Sequence, residues 1–158
     1  MKIHFPITTL AAGIILISCS NTINHNEPIK TSTTMNSSEV KTEETIKIVI
    51  DGKTFTFKLA DNKTTQELIK LAPFEGSAGV YHDNHYYLPT PKGLSIEGLE
   101  PTKDAKKGHL VYSAEYKGLG IFFADGHFDE NELFYIGESE EDFSALDTKK
   151  TVKIKIER

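Results

Sequence analysis

The sequence predicts a mostly β domain over residues 45–158, namely a small closed antiparallel β-barrel with two short helices. Three observations predict it. Short runs alternate between apolar and polar residues, as strands with one buried face do. Turn-forming residues separate these runs at short intervals. No internal repeat is visible, and short antiparallel strands of this kind are typical of a barrel that pairs its own edges.

Composition limits how this domain is held together and what it binds. Its roughly 114 residues are enough for a core, and Cys19, the only cysteine, lies outside it. We therefore expect packing and hydrogen bonds alone to stabilise it. The net charge of −5, without a Lys/Arg cluster, excludes nucleic acid as a partner. Nine acidic residues and no Lys or Arg between Asp125 and Asp147 indicate a solvated acidic face.

The chain begins with the pattern of an export signal. Lys2 follows the terminal amine, and an apolar run of 13 residues extends from Phe5 to Ile17. This run is too short to span a bilayer core of roughly 30 Å. It has the length of the apolar segment of a signal peptide. We therefore interpret residues 1–18 as a signal peptide.

The signal ends in Leu16-Ile17-Ser18-Cys19, which resembles the bacterial lipobox. The resemblance implies that the Cys19 sulfur receives a diacylglycerol and that fatty-acyl chains such as palmitate anchor the protein in a membrane, because two or more chains bind stably where one does not. An ordinary signal peptide is the alternative. Residues 19–44, rich in Ser, Thr and Asn, predict a flexible tether after that cysteine. The domain is then expected on the outer, extracytoplasmic face of a bacterial membrane.

The first two strands are predicted to form a hairpin. Thr45–Ile50 and Thr54–Leu59 alternate in polarity and flank an Asp-Gly turn, in which glycine accepts the positive φ that a tight turn needs. A helix follows. Thr64 is its predicted N-cap, and Glu67 completes a capping box.

Later elements are predicted for only part of the remaining chain. Residues 74–92 are rich in Gly, Tyr and His and receive no assignment, and residues 94–107 indicate a loop. Three internal strands and a final one are predicted at Gly108–Ser113, Gly120–Ala124, Leu133–Ile136 and Thr151–Glu157. A second short helix is predicted from Ser139 to Leu146, because Ser139 can cap it and acidic residues occupy its first turn.

The order of these elements resembles the bacterial cyclophilin-like proteins, small barrels with the cyclophilin architecture. The resemblance covers residues 45–158. It is carried by the opening hairpin, Asp61-Asn62 before the helix, Leu88-Pro89, Gly108-x-Leu-Val-Tyr, Gly118-Leu-Gly-Ile-Phe-Phe and Leu133-x-x-Ile-Gly137. It implies the same closed barrel that the alternating runs predict.

The resemblance does not extend to the catalytic residues of cyclophilins. Those enzymes isomerise X-Pro bonds with an Arg, a Gln that positions the peptide, and a hydrophobic pocket. Here the only arginine is the last residue, Arg158, and Ile121 takes the place of the Gln. We expect no catalytic residues and interpret the domain as a binding module for a small apolar ligand or peptide. A weak peptidyl-prolyl isomerase and an acidic surface adaptor are the alternatives.

The candidate ligand-binding residues follow from the same resemblance. Phe123 matches the aromatic residue of the pocket strand, and residues 127–132 match the aromatic loop that follows it. The six candidates are Tyr112, Ile121, Phe123, His127, Phe128 and Glu132.

No metal or cofactor is expected. A zinc site needs three or four converging ligands, so His82 and His85, three residues apart, are interpreted as polar turn residues. The acidic residues within 125–132 lack the spacing of an EF-hand. The dense Tyr and Phe residues between 81 and 135 have two interpretations: most fill the barrel core, or some line a cleft for an apolar ligand or an extended peptide.

Overall fold

A computed structural model of the chain describes residues 43–130, 132–146 and 151–158. The signal peptide, Cys19 and the tether lie outside these described residues, except for the last two positions of the tether, so the corresponding expectations stay predictions. Within the described part, no helix has the length and apolar character needed to cross a membrane.

The described residues form ten strands, one α-helix and one 3-10 turn. The strands are β1 (Thr45–Ile50), β2 (Lys53–Leu59), β3 (Phe74–Tyr81), β4 (His85–Pro89), β5 (Asp104–Ala105), β6 (His109–Ser113), β7 (Gly118–Phe122), β8 (Gly126–His127), β9 (Leu133–Glu138) and β10 (Thr151–Glu157). The helix α1 spans Lys63–Leu71, and the 3-10 turn spans Ser144–Leu146.

Eight strands close an antiparallel barrel in the order β1-β10-β3-β4-β7-β6-β9-β2. The first and last strands pair with each other, from Lys47 opposite Glu157 to Ile50 opposite Ile154. This closure confirms the predicted fold class. The other two strands, β5 and β8, pair separately and form what we call the β5–β8 ribbon.

The β1–β2 hairpin has the predicted turn. Asp51 and Gly52 both adopt positive φ, 46° and 85°, as a two-residue hairpin turn of this hand requires. Opposite each other across the pair lie Ile48 and Phe55, both fully buried. The predicted alternation therefore places the Ile and Phe residues of both strands inside the barrel.

The barrel interior is a packed core of aliphatic and aromatic side chains. Two tyrosines belong to it, and each satisfies its hydroxyl. The Tyr86 hydroxyl donates to the Leu146 carbonyl at 2.6 Å, and the Tyr112 hydroxyl accepts from the Leu94 amide at 2.9 Å. In the described part of the chain, every buried side-chain nitrogen and oxygen has a hydrogen-bond partner. Burying these polar ends is therefore not costly.

A second, smaller apolar cluster lies on the outer face of the barrel strands β6, β7 and β9, and we call it the outer cluster. It contains Val111 of β6, Phe122 of β7 and Leu133 of β9, together with Ala105 and Phe128 from the β5–β8 ribbon and its end. Neighbouring residues on these strands point into the barrel, because side chains alternate along a strand. The ribbon thus covers part of the barrel wall from outside.

Helix α1 forms where predicted but begins with a different cap. The side chain of Asn62 accepts from the Thr65 amide at 3.0 Å, and the Thr65 hydroxyl accepts from the Asn62 amide at 3.4 Å. The predicted cap, Thr64, is buried in the first turn, where its hydroxyl donates to the Ser95 carbonyl. Glu67 accepts from the Ser95 amide at 2.8 Å instead of closing a capping box.

The second predicted helix, Ser139–Leu146, is reduced to the 3-10 turn at its end. The segment lies along the seam between β2 and β9, which pair at only two positions. There Glu141 accepts from the Thr56 amide at 2.6 Å, and the Phe143 ring stacks on Phe55 at 4.6 Å. An extended segment can satisfy the open edge of β2, whereas a helix would leave it unpaired.

Strands β3 and β4 fill the region that received no assignment, and β7 starts at Gly118, two residues before its predicted start. The turn between β3 and β4 holds His82 and Asp83 at positive φ, 48° and 53°. Residues other than glycine are uncommon there, which concealed this hairpin from sequence patterns.

Candidate functional site

A cleft of about 300 Å³ lies on the outer face of the barrel, beside the outer cluster. Strands β3, β4, β6, β7 and β9 contribute to it, as does the segment after β8. Its lining residues are Tyr81, His82, His85, Tyr87, Val111, Ser113, Tyr116, Gly120, Phe128 and Leu133. Within the described chain, this lining includes no Asp, Glu, Lys or Arg.

Alternation along β4 sends two side chains to the cleft. Tyr86 and Leu88 belong to the barrel core, so His85 and Tyr87 point outward. On the neighbouring strand, Gly120 lies opposite Tyr87.

Two glycines of β7 make room for the outward rings. A Cβ added to Gly118 would overlap the Tyr87 ring, and one added to Gly120 would lie 2.8 Å from Cγ2 of Val111. The rings can approach the β7 backbone closely only because these positions lack side chains. The cleft therefore lies where outward positions of β7 are glycines.

Phe128 forms the wall on the side of the β5–β8 ribbon. The His85 ring stacks on Phe122 with centroids 4.6 Å apart and planes at 16°. Phe128 meets both rings edge-on, at 5.6 Å from His85 and 5.8 Å from Phe122. The His82 ring contacts Phe128 from the β3–β4 turn, at 5.4 Å. These contacts hold the side chains of the wall in fixed orientations.

Three tyrosines form the opposite wall. Tyr87 meets Tyr81 edge-on at 5.6 Å and Tyr116 at 6.5 Å. Its hydroxyl donates to the Tyr116 carbonyl. Burial raises the pKa of Tyr87, so its phenol stays protonated at neutral pH. Tyr81 and Tyr116 are 50% and 56% exposed, which opens this side of the cleft to solvent.

His85 is a half-buried titratable group of the cleft. Its Nδ1 lies 2.7 Å from Oδ1 of Asn84. Burial lowers the pKa of His85 to about 4, and the nearby His82 imidazole contributes in the same direction. The ring is therefore neutral over the physiological range.

His127 stands just outside the cleft, on the ribbon, between two carboxylates. Nδ1 of His127 lies 2.7 Å from Oδ1 of Asp104, and Nε2 lies 3.1 Å from Oδ1 of Asp129. The hydrogen bond with Asp104 raises the pKa of His127, and the bond with Asp129 adds to the effect. These bonds link the two strands of the ribbon beside Phe128.

The structure separates the six candidate residues. Phe128 lines the cleft, whereas Tyr112, Ile121 and Phe123 lie in the barrel core. His127 and Glu132 are exposed and do not line the cleft. The sheet itself stands between the core and the cleft, so the three core residues do not line it. The β7 ring that faces outward is Phe122, one residue before the predicted Phe123.

Five rings of the lining were not among the six candidates, namely Tyr81, His82, His85, Tyr87 and Tyr116. The three tyrosines belong to the dense Tyr and Phe residues for which a cleft was one of the two interpretations. His82 does lie in a turn, as interpreted, but His85 belongs to β4 and lines the cleft. One available signal was the spacing of Gly118, Gly120 and Phe122. Every second residue of a strand lies on the same face, so this spacing indicates a strand with small residues on its outer face.

The histidines and the arginine have separate environments. Within the described residues, no three His, Asp or Glu side chains are grouped as metal ligands would be, and the rings of His82 and His85 lie 6.3 Å apart. The Arg158 guanidinium donates to the carbonyls of Ile69 at 2.8 Å and Lys70 at 3.2 Å, at the end of α1. It does not line the cleft.

Solved structures share this fold at low sequence identity. The solution structure of the hypothetical protein AF2241 from Archaeoglobus fulgidus superposes with a TM-score of 0.58 and 16% identity, covering 77% of this chain and 98% of that one. The structure of McbB in complex with tryptophan gives a TM-score of 0.55 and 17% identity, covering 72% of this chain and 44% of McbB. The chain thus spans less than half of McbB. These identities show a common fold and nothing further.

Sequence comparison identifies the family. A search of curated proteins finds no significant match. A family model described as the cyclophilin-like family matches residues 48–157, from β1 to the end of β10. That range includes all of β2 to β10, the second half of β1 and all the lining residues of the cleft. The chain belongs to the cyclophilin-like family.

Proposed function

We propose that this protein is a binding module that holds a small apolar ligand in the outer-face cleft and catalyses no reaction. The observation that carries the proposal is the composition of the cleft. Aromatic rings and imidazoles form its walls, and its described lining residues include no charged carboxylate, ammonium or guanidinium group. Apolar concave sites with a few fixed polar groups are typical of small-molecule binding.

The exposed rings support the same proposal. Tyr81 and Tyr116 are the large hydrophobic side chains exposed on the described surface, and both border the cleft. Exposed apolar side chains that are grouped around one cleft indicate a binding site, whereas single exposed rings scattered over a surface do not. A bound ligand would remove these rings from water.

The McbB complex supports the choice of the first probes. That protein was solved with tryptophan, an aromatic compound, and shares the barrel fold with this chain. Because only the fold is common, the likeness favours aromatic compounds as probes without naming the natural ligand.

We also propose that an acylated Cys19 anchors the domain to the outer face of a bacterial membrane, with residues 20–44 as the tether. The lipobox resemblance supports this. Metabolic labelling with a palmitate analogue tests it: the wild-type chain should take up label and Cys19→Ala should not. Equal labelling of both chains would contradict the anchor.

The binding proposal is tested by a thermal-shift screen of aromatic compounds on the purified full-length chain. We expect compounds that stabilise the wild type to bind Phe128→Ala at least tenfold more weakly. Phe74→Ala removes the same ring from β3, away from the cleft, and should retain wild-type affinity. Equal affinities for the two variants would refute the placement of the site.

The isomerase alternative has its own assay. A protease-coupled measurement on a proline peptide should give the uncatalysed rate. A rate above it that Phe128→Ala removes would replace the non-catalytic proposal with a prolyl isomerase.

A further inference from the structure

We propose that the cleft selects an uncharged planar aromatic compound carrying an N–H or O–H donor, and that Nε2 of His85 is the acceptor that recognises this donor. The inference rests on the proposed function and specifies the chemistry of its ligand. It depends on which nitrogen of His85 carries the proton, whether the ring is charged, and whether the ring can turn.

The neighbouring amide determines the tautomer of His85. Nδ2 of Asn84 donates to the Asp125 carbonyl at 3.4 Å, so Oδ1 is the atom directed at His85. An amide oxygen only accepts, and therefore the His85 nitrogen at 2.7 Å, Nδ1, carries the hydrogen. In the neutral ring the other nitrogen, Nε2, is then an acceptor.

Asn84 is itself fixed by its backbone. Its carbonyl accepts from the amides of Phe123 at 3.0 Å and Ala124 at 3.1 Å, and its amide donates to the Tyr81 carbonyl at 3.2 Å. The side chain that orients His85 is therefore anchored to the end of β7 and to the end of β3.

The His85 ring remains neutral and cannot turn freely. Burial lowers its pKa to about 4. Phe122 covers one face of the ring, while His82 and Phe128 lie against it from the turn and the ribbon. A neutral, immobile acceptor discriminates between ligands better than a mobile one, because little ordering is needed on binding.

Nε2 of His85 is an accessible atom, not a buried one. It has no hydrogen-bond partner among the described side chains and backbone groups, and no buried side-chain nitrogen or oxygen of the described chain lacks one. The atom is therefore open to the space that His85 lines. A ligand that excludes water there without donating a hydrogen bond leaves this acceptor unpaired, which is unfavourable.

The remaining polar groups favour the same ligand class. The Tyr87 hydroxyl uses its hydrogen on the Tyr116 carbonyl, so its oxygen also presents a lone pair. A carboxylate would meet the acceptors of His85 and Tyr87 and no Lys or Arg among the described lining residues, and an ammonium would meet no carboxylate there. Both ions would lose hydration without a counter-charge. A flat ring with one donor suits the stacked and edge-on walls.

The test compares indole with benzofuran, which has the same shape but an oxygen in place of the N–H. Both are titrated into the purified full-length chain and followed by NMR signals of the cleft residues. Indole should bind at least tenfold more tightly and should shift the ¹⁵N signal of His85 Nε2. His85→Phe keeps a ring stacked on Phe122 but lacks the acceptor. This variant should bind indole and benzofuran about equally. His109→Phe, on β6 but outside the cleft lining, should retain the preference for indole.

The outcomes separate the two proposals. Suppose that indole and benzofuran bind the wild type equally well and shift signals of cleft residues. The proposed selection of a hydrogen-bond donor would then be wrong, whereas the proposed binding function would still hold. An unshifted His85 Nε2 signal in the indole complex would overturn the proposed selection as well, whatever the variants do. If no aromatic probe shifts any cleft signal, both the ligand class and the binding module are wrong.

Discussion

The two faces of strands β4 and β7 differ in what they contribute to the molecule. On the inside, Tyr86 and Ile121 are fully buried, and no buried side-chain nitrogen or oxygen of the described chain lacks a hydrogen-bond partner. On the outside, Gly118 and Gly120 carry no side chains, and a cleft of about 300 Å³ lies there. One sheet therefore supplies stability with one face and a binding surface with the other. The cleft is made by leaving out side chains rather than by inserting a loop.

The largest effect is expected where the inner face is broken. Phe55 is fully buried and stacks on Phe143 at 4.6 Å, so Phe55→Ala should lower the free energy of unfolding by about 3–5 kcal/mol. Urea unfolding of the full-length chain measures this. The loss should leave the preference for indole over benzofuran intact in the folded fraction. A loss below about 1 kcal/mol would mean that the interior is not the stabilising face.

The second largest effect is expected from the protonation of His85 on the outer face. The pKa of His85 in the folded chain lies near 4, below its ordinary value of 6.5, so the native state binds fewer protons than the unfolded state between these values. Stability should be greatest above pH 6.5 and should fall by at most about 3 kcal/mol as the pH drops towards 4. Unfolding at a series of pH values measures this.

The control for that titration is His85→Phe. Because it lacks the imidazole, its stability should decline less steeply between pH 6.5 and 4, while other groups contribute equally in both chains. Parallel pH profiles for the two chains would show that His85 is not buried in its neutral form.

The smallest of the three effects concerns the glycines that keep the cleft open. Gly118→Ala places a methyl group against the Tyr87 ring, which has to move. We expect a cost of about 1–3 kcal/mol and a weaker indole complex. Gly52→Ala, where an added Cβ meets nothing within 4 Å, controls for the loss of a glycine, although its φ of 85° adds strain. Unchanged indole binding in Gly118→Ala would show that Tyr87 does not shape the cleft.

Local patterns predicted the barrel because its strands bury one face. The Asp51-Gly52 turn, the alternation of β1 and β2 and the final strand β10 are all visible in the sequence. The hairpin of β3 and β4 was missed because Gly76 and Gly79 interrupt the first strand and because its turn holds His82 and Asp83, two residues other than glycine, at positive φ. The second predicted helix failed because tertiary pairing at the β2 edge outweighed a helix-start signal.

The site was harder to predict because it depends on which face of its strand each residue occupies. In Ile121-Phe122-Phe123 both faces carry apolar residues, so composition cannot tell which ring points outward, and a shift of one residue exchanges the faces. Pairing with β4 decides it, and pairing is a long-range property. The two histidines of the cleft were visible but became meaningful only when the turn brought His82 and His85 against Phe128.

The claim that the outer face binds ligand is tested most directly by a crystal structure of the chain grown with indole. We predict density for one indole ring between the Phe128 wall and the tyrosines, with its nitrogen within hydrogen-bond distance of His85 Nε2. Density for indole only at another surface, or a cleft closed by contact between Phe128 and Tyr87, would contradict the account.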